Sequence, residues 1–131
     1  MTDMSDHLDM TVRSISDRVA VVAVTGDVDL HTAPALRTYA LTLVEQGAAH
    51  LVLDLAGVDF VDSTGLSTFL VLLRVAQDAG GSLHLADVPD RLMRMVTMTG
   101  ISELLPVHAT VADALTSSTT AGAADGADIP G

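Results

Sequence analysis

A nearly continuous apolar run, His50-Leu51-Val52-Leu53-Asp54-Leu55, gives way a few residues later to apolar positions at helical spacing, Leu66, Phe69, Leu70 and Leu73. A short, buried strand followed at once by a helix that must pack on it restricts the chain to folds built from βα units. The same alternation recurs. Val19 to Val24 reads as a buried strand, and Gly26-Asp27-Val28-Asp29 as the acidic loop that ends it. A helix follows, with Thr32 as its cap, Pro34 in its first turn, a stripe of Leu36, Tyr39, Ala40 and Leu43, and a stop at Gly47. Ser82 to Ala86 is a further short strand, after which Asp87 caps a helix through Pro89, Leu92, Met95 and Val96, closed by Gly100. A weak strand around Leu105 to His108 and a last helix around Val111 to Leu115 complete the pattern.

At the front of the chain Leu8, Met10 and Val12 alternate with Asp9, Thr11 and Arg13, the signature of a half-exposed strand, and Ser16-Asp17 supplies a turn back into Val19. The expected architecture is therefore α/β: a mixed, mostly parallel sheet of about five strands with about four helices, its first strand antiparallel at an edge. One domain over residues 1–116 fits the length. Residues 117–131, rich in Ser, Thr, Ala and Gly, have too little apolar surface to offset ordering and are expected to be a disordered tail.

Charge and composition narrow the function. The net charge is −11, with six Arg, no Lys, and fifteen of seventeen acidic residues being Asp. Such a chain repels phosphate backbones and anionic membranes, so neither nucleic acid nor membrane is an expected partner. There is no cysteine, hence no disulfide, thiolate or Cys-based metal chemistry. The acidic N-terminus, Met1 to Asp6, is the opposite of a signal peptide, and no apolar run approaches the roughly 20 residues needed to span a bilayer. A soluble, cytoplasmic protein is expected.

Val61-Asp62-Ser63-Thr64-Gly65-Leu66 places a hydroxyl where strand turns into helix. Ser63 falls at or next to the helix N-cap, and Gly65 leaves the approach to it uncovered. A serine there can be a cap, a nucleophile or a phosphate acceptor. The nucleophile reading, a small serine hydrolase, meets Val61 where an esterase elbow needs glycine. Asp87 and His108 follow Ser63 in triad order, but the chain is short for a hydrolase fold. Taken alone, the segment fits a plain capping serine. Two acidic loops, Gly26 to Pro34 and Asp59 to Leu66, both lie at the carboxyl ends of strands, where open α/β sheets carry their functional crevice. Neighbouring parallel strands would bring Asp29 and Ser63 together.

Other candidates are weaker. Asp27, Asp29 and His31 could offer ligands on one side of a loop, but Thr32 and Thr38 stand where a calcium loop needs Gly and Glu. No metal and no cofactor is expected, and the chain has neither a P-loop nor a dinucleotide fingerprint. His50, His84 and His108 lack paired spacing and read as surface or edge histidines. Among Met93, Met95 and Met98, Met95 reads as core and Met93 as a partner-facing residue. The helix over 66–76 is apolar on more than one stripe, with Val71, Leu72 and Val75 added, which suits either burial between layers or an exposed docking face.

The two loops together, Gly26-Asp27-Val28-Asp29-Leu30-His31-Thr32-Ala33 and Val61-Asp62-Ser63-Thr64-Gly65-Leu66, resemble the signature of the STAS domain family, in particular its stand-alone bacterial anti-sigma factor antagonists. The resemblance runs over roughly residues 8–116 and extends to Val88-Pro89-Asp90-Arg91-Leu92, Thr99-Gly100-Ile101 and Leu104, which are similar to the family's third helix and its exit. It implies that Ser63 is phosphorylated by an anti-sigma factor that is itself a serine kinase, with Thr64 as the alternative acceptor. It implies that the unphosphorylated form captures that kinase and so frees a sigma factor, and that a metal-dependent serine phosphatase resets the cycle. It places Asp29 near the phosphoacceptor, and assigns the partner surface to Asp27, Asp29, His31, Thr32, Asp62, Ser63, Thr64, Gly65 and Leu66, with Met93 added. The protein is then non-enzymatic, and a monomer or weak dimer when free. The rival within the family is a scaffold or regulatory module of another signalling system; a transporter's own domain is disfavoured because no membrane segment precedes it.

Overall fold

Five strands form one sheet in the order β1-β2-β3-β4-β5 in a computed structural model that describes residues 8–16 and 18–116. They are β1 (Leu8–Ser16), β2 (Val19–Val28), β3 (His50–Val61), β4 (Ser82–Ala86) and β5 (Val107–His108). β1 runs antiparallel to β2 at the edge, and all later pairings are parallel, as the alternation requires. The crossovers are α1 (Ala33–Glu45), α2 (Ser63–Asp78), and α3 (Asp90–Met98) followed by α4 (Ile101–Leu104). A short last helix, α5, covers 111–116.

Strands added in chain order by crossovers of one hand put their helices on one face of the sheet. Leu36, Ala40 and Leu43 of α1, Leu66, Phe69 and Leu72 of α2, and Leu92 and Val96 of α3 accordingly share a core with Val22, Val24, Leu51, Leu53, Leu83 and Leu85. Aromatic poverty makes this an aliphatic core with Phe69 at its centre. The opposite face is covered by α5, whose Ala114 is buried against Val21, Val52 and Ala86. α2 resolves its two readings in both directions: Leu66, Phe69 and Leu72 are buried, Val75 is half-buried, and Val71 is exposed.

β2 and β3 are longer than their apolar runs suggest. In β3 the buried apolar residues after Leu53 are Leu55, Val58 and Val61, a spacing of three that no regular strand shows. Register breaks between Ala23 and Thr25, and again between Gly26 and Asp27, each insert an extra β3 residue and restore the inward face. Asp54 fixes the first bulge: Oδ1 accepts from the Ala56 N–H at 3.0 Å, and Oδ2 pairs with Arg13 at 3.1 Å. Asp59, Phe60 and Val61, expected in a loop, are therefore strand. Asp87 does not cap α3; it takes a left-handed conformation (φ 52°), and Pro89 occupies the cap position. Gly100, at φ 81°, ends α3 and turns the chain into α4, a helical turn that raises the helix count from four to five. Asp17 of the expected turn, the N-terminal residues 1–7 and the tail 117–131 lie outside the described residues.

Candidate functional site

The last registered pair between β2 and β3 is Val28–Val61, so both acidic loops emerge side by side at the carboxyl edge of the sheet. The Asp62 N–H donates to the Val28 carbonyl at 3.2 Å, which continues the pairing one step beyond the ladder. Asp62, and not Ser63, is the N-cap of α2. Its two carboxylate oxygens do different work: Oδ1 accepts from the Gly65 N–H at 2.9 Å, and Oδ2 accepts from the Leu30 N–H at 3.1 Å in the other loop. One side chain thus caps the helix and ties the two loops together.

Gly65 makes that close approach feasible. A Cβ there would press on the Val28 carbonyl oxygen and sit 2.9 Å from Val61 Cγ1, so only glycine lets α2 start against the end of β2.

The β2–α1 loop is held from within. Asp29 Oδ1 accepts from the backbone N–H of His31 at 2.9 Å and of Thr32 at 3.1 Å. Partial desolvation raises the Asp29 pKa, but these N–H groups, the Thr32 hydroxyl and the charge of His31 outweigh it, and the net shift is downward. Asp29 is therefore ionised at neutral pH, with its carboxylate turned into its own loop. Thr32 stands at the N-cap position of α1 without capping it; its buried hydroxyl donates to the Asp27 carbonyl at 2.6 Å and accepts from the Asp29 N–H at 2.9 Å. The expected cap is a loop clasp instead.

Ser63, the first residue of α2, is exposed, and its hydroxyl makes no hydrogen bond to the protein among the described residues. The frame around it is bonded and the hydroxyl itself is left to solvent. Thr64 is half-buried and faces a cleft between α1 and α2 that it shares with Pro34, Arg37 and Thr68. His31 is exposed, and Asp27 is half-buried with its carbonyl engaged by Thr32. Leu66, expected at the contact surface, is a core residue of α2, so it supports the site from beneath. Met93 is half-buried on α3, whereas Met98, 82% exposed, is the methionine that α3 presents to solvent.

Two residues not singled out from sequence flank Ser63 along the chain and across the loop tie: Leu30, 62% exposed, and Phe60, 48% exposed. Leu30 could have been noticed as a lone large apolar residue in an otherwise polar loop. Phe60 sits on β3 beside Asp59, which Arg91 of α3 holds through its backbone carbonyl at 3.2 Å. Two exposed apolar side chains on the segments that flank the Ser63 hydroxyl suit protein docking. The hydrolase reading has no geometry here: His108 is hydrogen-bonded to His84, on the sheet face that carries α5.

The site is thus an exposed hydroxyl at a strand–helix turn of a mixed, mostly parallel α/β sheet. The chain belongs to the STAS domain family, whose family model matches residues 11–114. It is 36% identical over 88 residues to an anti-sigma-B factor antagonist of Bacillus subtilis (strain 168), spanning 67% of this chain and 80% of that protein. The crystal structure of an anti-sigma factor antagonist from Mycobacterium paratuberculosis is similar with a TM-score of 0.68 at 29% identity, over 87% of this chain and 96% of that one. The unphosphorylated form of the anti-sigma factor antagonist SpoIIAA shares the fold, with a TM-score of 0.70 at 19% identity over 82% of this chain and 94% of that one. No helix among the described residues is long and apolar enough to cross a membrane.

Proposed function

We propose that this chain is a cytoplasmic, non-catalytic anti-sigma factor antagonist: unphosphorylated, it captures an anti-sigma factor that is a serine kinase and so releases a sigma factor. Phosphorylation of Ser63 ends the capture, and a metal-dependent serine phosphatase restores it. The observation that carries this reading is the exposed, unbonded Ser63 hydroxyl at the first turn of α2, beside exposed Leu30 and Phe60. The partner surface we assign is the loop from Asp27 to Thr32 with Asp62, Ser63 and Phe60.

The physical basis of the switch is local. A phosphate adds about −1.5 to −2 charges. Asp62 already caps α2, so the phosphate completes no missing cap and gains only the roughly 0.3–1 kcal/mol that a helix N-terminus offers an exposed anion. A carboxylate about 6 Å away opposes it by roughly 3 kcal/mol per unit charge at an effective dielectric of about 20. Free in water the phosphoprotein keeps its fold, because the group projects to solvent and is screened. In a docked, water-excluding interface the same charge lies among Leu30, Phe60 and the carboxylates of Asp27, Asp29 and Asp62. A few kcal/mol there lowers affinity a hundredfold or more.

The test is incubation with candidate anti-sigma serine kinases and ATP, followed by phosphopeptide mapping. Label is expected on Ser63, with Ser63→Ala unlabelled. Full labelling of Ser63→Ala, with the phosphate on Thr64, would overturn the assignment of the acceptor.

A further inference from the structure

The three histidines that sequence spacing left unconnected are brought into one line by the sheet. On the face away from α1–α4, His50 Nδ1 lies 2.9 Å from Ser82 Oγ, Ser82 Oγ lies 3.1 Å from His84 Nε2, and His84 Nδ1 lies 2.9 Å from His108 Nε2. The line crosses β3, β4 and β5, with the His84 and His108 rings 5.1 Å apart. Each contact needs one hydrogen and one lone pair. His84 uses both of its nitrogens, so the neutral line is hydrogen-bonded throughout in one direction. One extra proton can be shared between His84 and His108. A second makes both facing nitrogens donors, and the 2.9 Å contact cannot survive that.

This contact joins β4 to the shortest strand of the sheet. β5 is only two residues long, and α5 follows it directly, at 111–116. α5 covers Val21, Val52 and Ala86; Val52 is in register with His84, and Ala86 with His108. We propose that the His84–His108 pair is a proton-sensitive clasp that fastens β5 and α5 to the sheet at neutral pH and releases them on acidification, uncovering Val21, Val52 and Ala86 while the Ser63 edge stays intact.

The surrounding charges leave the pair in control. Arg13 of β1 and Asp54 of β3 neutralise each other, Asp9 lies further along β1, and Asp113 of α5 is exposed. Asp87, whose N–H bonds the His108 carbonyl, lies just past β4, and β2 contributes only Val21 and its apolar neighbours. His84 is buried, and burial first, then the charges of His108 and His50, lowers its pKa from 6.5 to about 4. The open form, with His84 in water, takes up the proton more readily. The closed form is thus fully favoured above pH 6.5 and loses ground as pH falls toward 4. Between pH 7.5 and 5 that linkage raises the open-to-closed ratio roughly 30-fold.

The experiment is an NMR titration of the full chain from pH 7.5 to 4.5, following the histidine rings and the backbone of residues 107–116, with His108→Gln in parallel. Glutamine keeps a donor and an acceptor for His84 but cannot take a charge. In the wild type, His84 is expected to titrate well below 6.5, and residues 107–116 to lose their structured shifts as it does, before residues 27–32 and 62–66 move. In His108→Gln that opening is expected to shift down by at least one pH unit. Titration of His84 near the ordinary histidine value, opening of His108→Gln at the wild-type pH, or loss of 107–116 only together with the whole domain would each overturn the clasp.

Discussion

Asp62 caps α2 and ties the two loops of the site together, and its two oxygens allow the two roles to be separated. Asp62→Ala removes the N-cap of α2, a loss of typically about 1 kcal/mol. It also frees the Leu30 N–H, which is exposed and regains water, so that bond contributes at the low end, about 0.5–1 kcal/mol. The total is about 1.5–2 kcal/mol, or a fall in Tm of roughly 6–8 °C at about 4 °C per kcal/mol for a domain of this size. Asp62→Asn keeps one acceptor oxygen, enough for the Gly65 N–H, and turns an amide toward Leu30. It should lose about half as much. Thermal unfolding gives the totals, and amide exchange assigns them: the Leu30 N–H should exchange faster in both variants, the Gly65 N–H only in Asp62→Ala. Equal destabilisation by the two substitutions, or an unchanged Leu30 amide in either, would refute the division of labour between the two oxygens.

Gly65→Ala would gain about 1 kcal/mol in an unencumbered helix, but the Cβ meets the Val28 carbonyl and Val61, so a net loss of about 1–3 kcal/mol is expected in urea unfolding; a stabilised variant would mean that α2 stands off β2. Thr32→Val removes a buried hydroxyl with two backbone partners and should lose about 1–3 kcal/mol, read from the denaturation midpoint, with the loop amide of Asp29 losing its exchange protection. Deleting residues 117–131, on composition a segment without a core of its own, should move Tm by no more than about 2 °C; a fall of many degrees would place the domain boundary later than residue 116.

Periodicity carried the fold as far as the sheet is regular. The strand–helix alternation after Val19 is legible because the crossover helices carry apolar residues at helical spacing, on more than one stripe in α2, and the interior strands carry short apolar runs. It fails at the ends of β2 and β3, where two bulges change the inward spacing from two to three, so the apolar run reads as ending at Leu55 although Val58 and Val61 continue the buried face. α4 escapes notice because four residues are too few to display a period. In the site, Ser63 and Gly65 are marked by their place in the strand–helix turn. The roles of Asp62 and Thr32 are not, because capping is decided by which hydroxyl or carboxylate reaches a free N–H, and Thr32 spends its hydroxyl on Asp27 and Asp29. Adjacency to the motif assigns Leu66 to the partner surface and the adaptability of methionine assigns Met93; Leu66 lies in the core, and Met93 is half-buried. The histidine line was invisible for a simpler reason: His50, His84 and His108 come from three strands, and only strand order makes them neighbours.

The central claim is that the charge on Ser63 governs binding and leaves the fold in place. Calorimetric titration of an anti-sigma serine kinase with the unphosphorylated chain, Ser63→Ala and the Ser63 phosphoprotein tests it most directly, with circular dichroism recorded on each form. The account predicts that Ser63→Ala binds like the unphosphorylated chain, since Asp62 keeps the helix capped. It predicts that the phosphoprotein, with an unchanged spectrum, binds at least tenfold more weakly. Equal affinities for the phosphorylated and unphosphorylated proteins would contradict it.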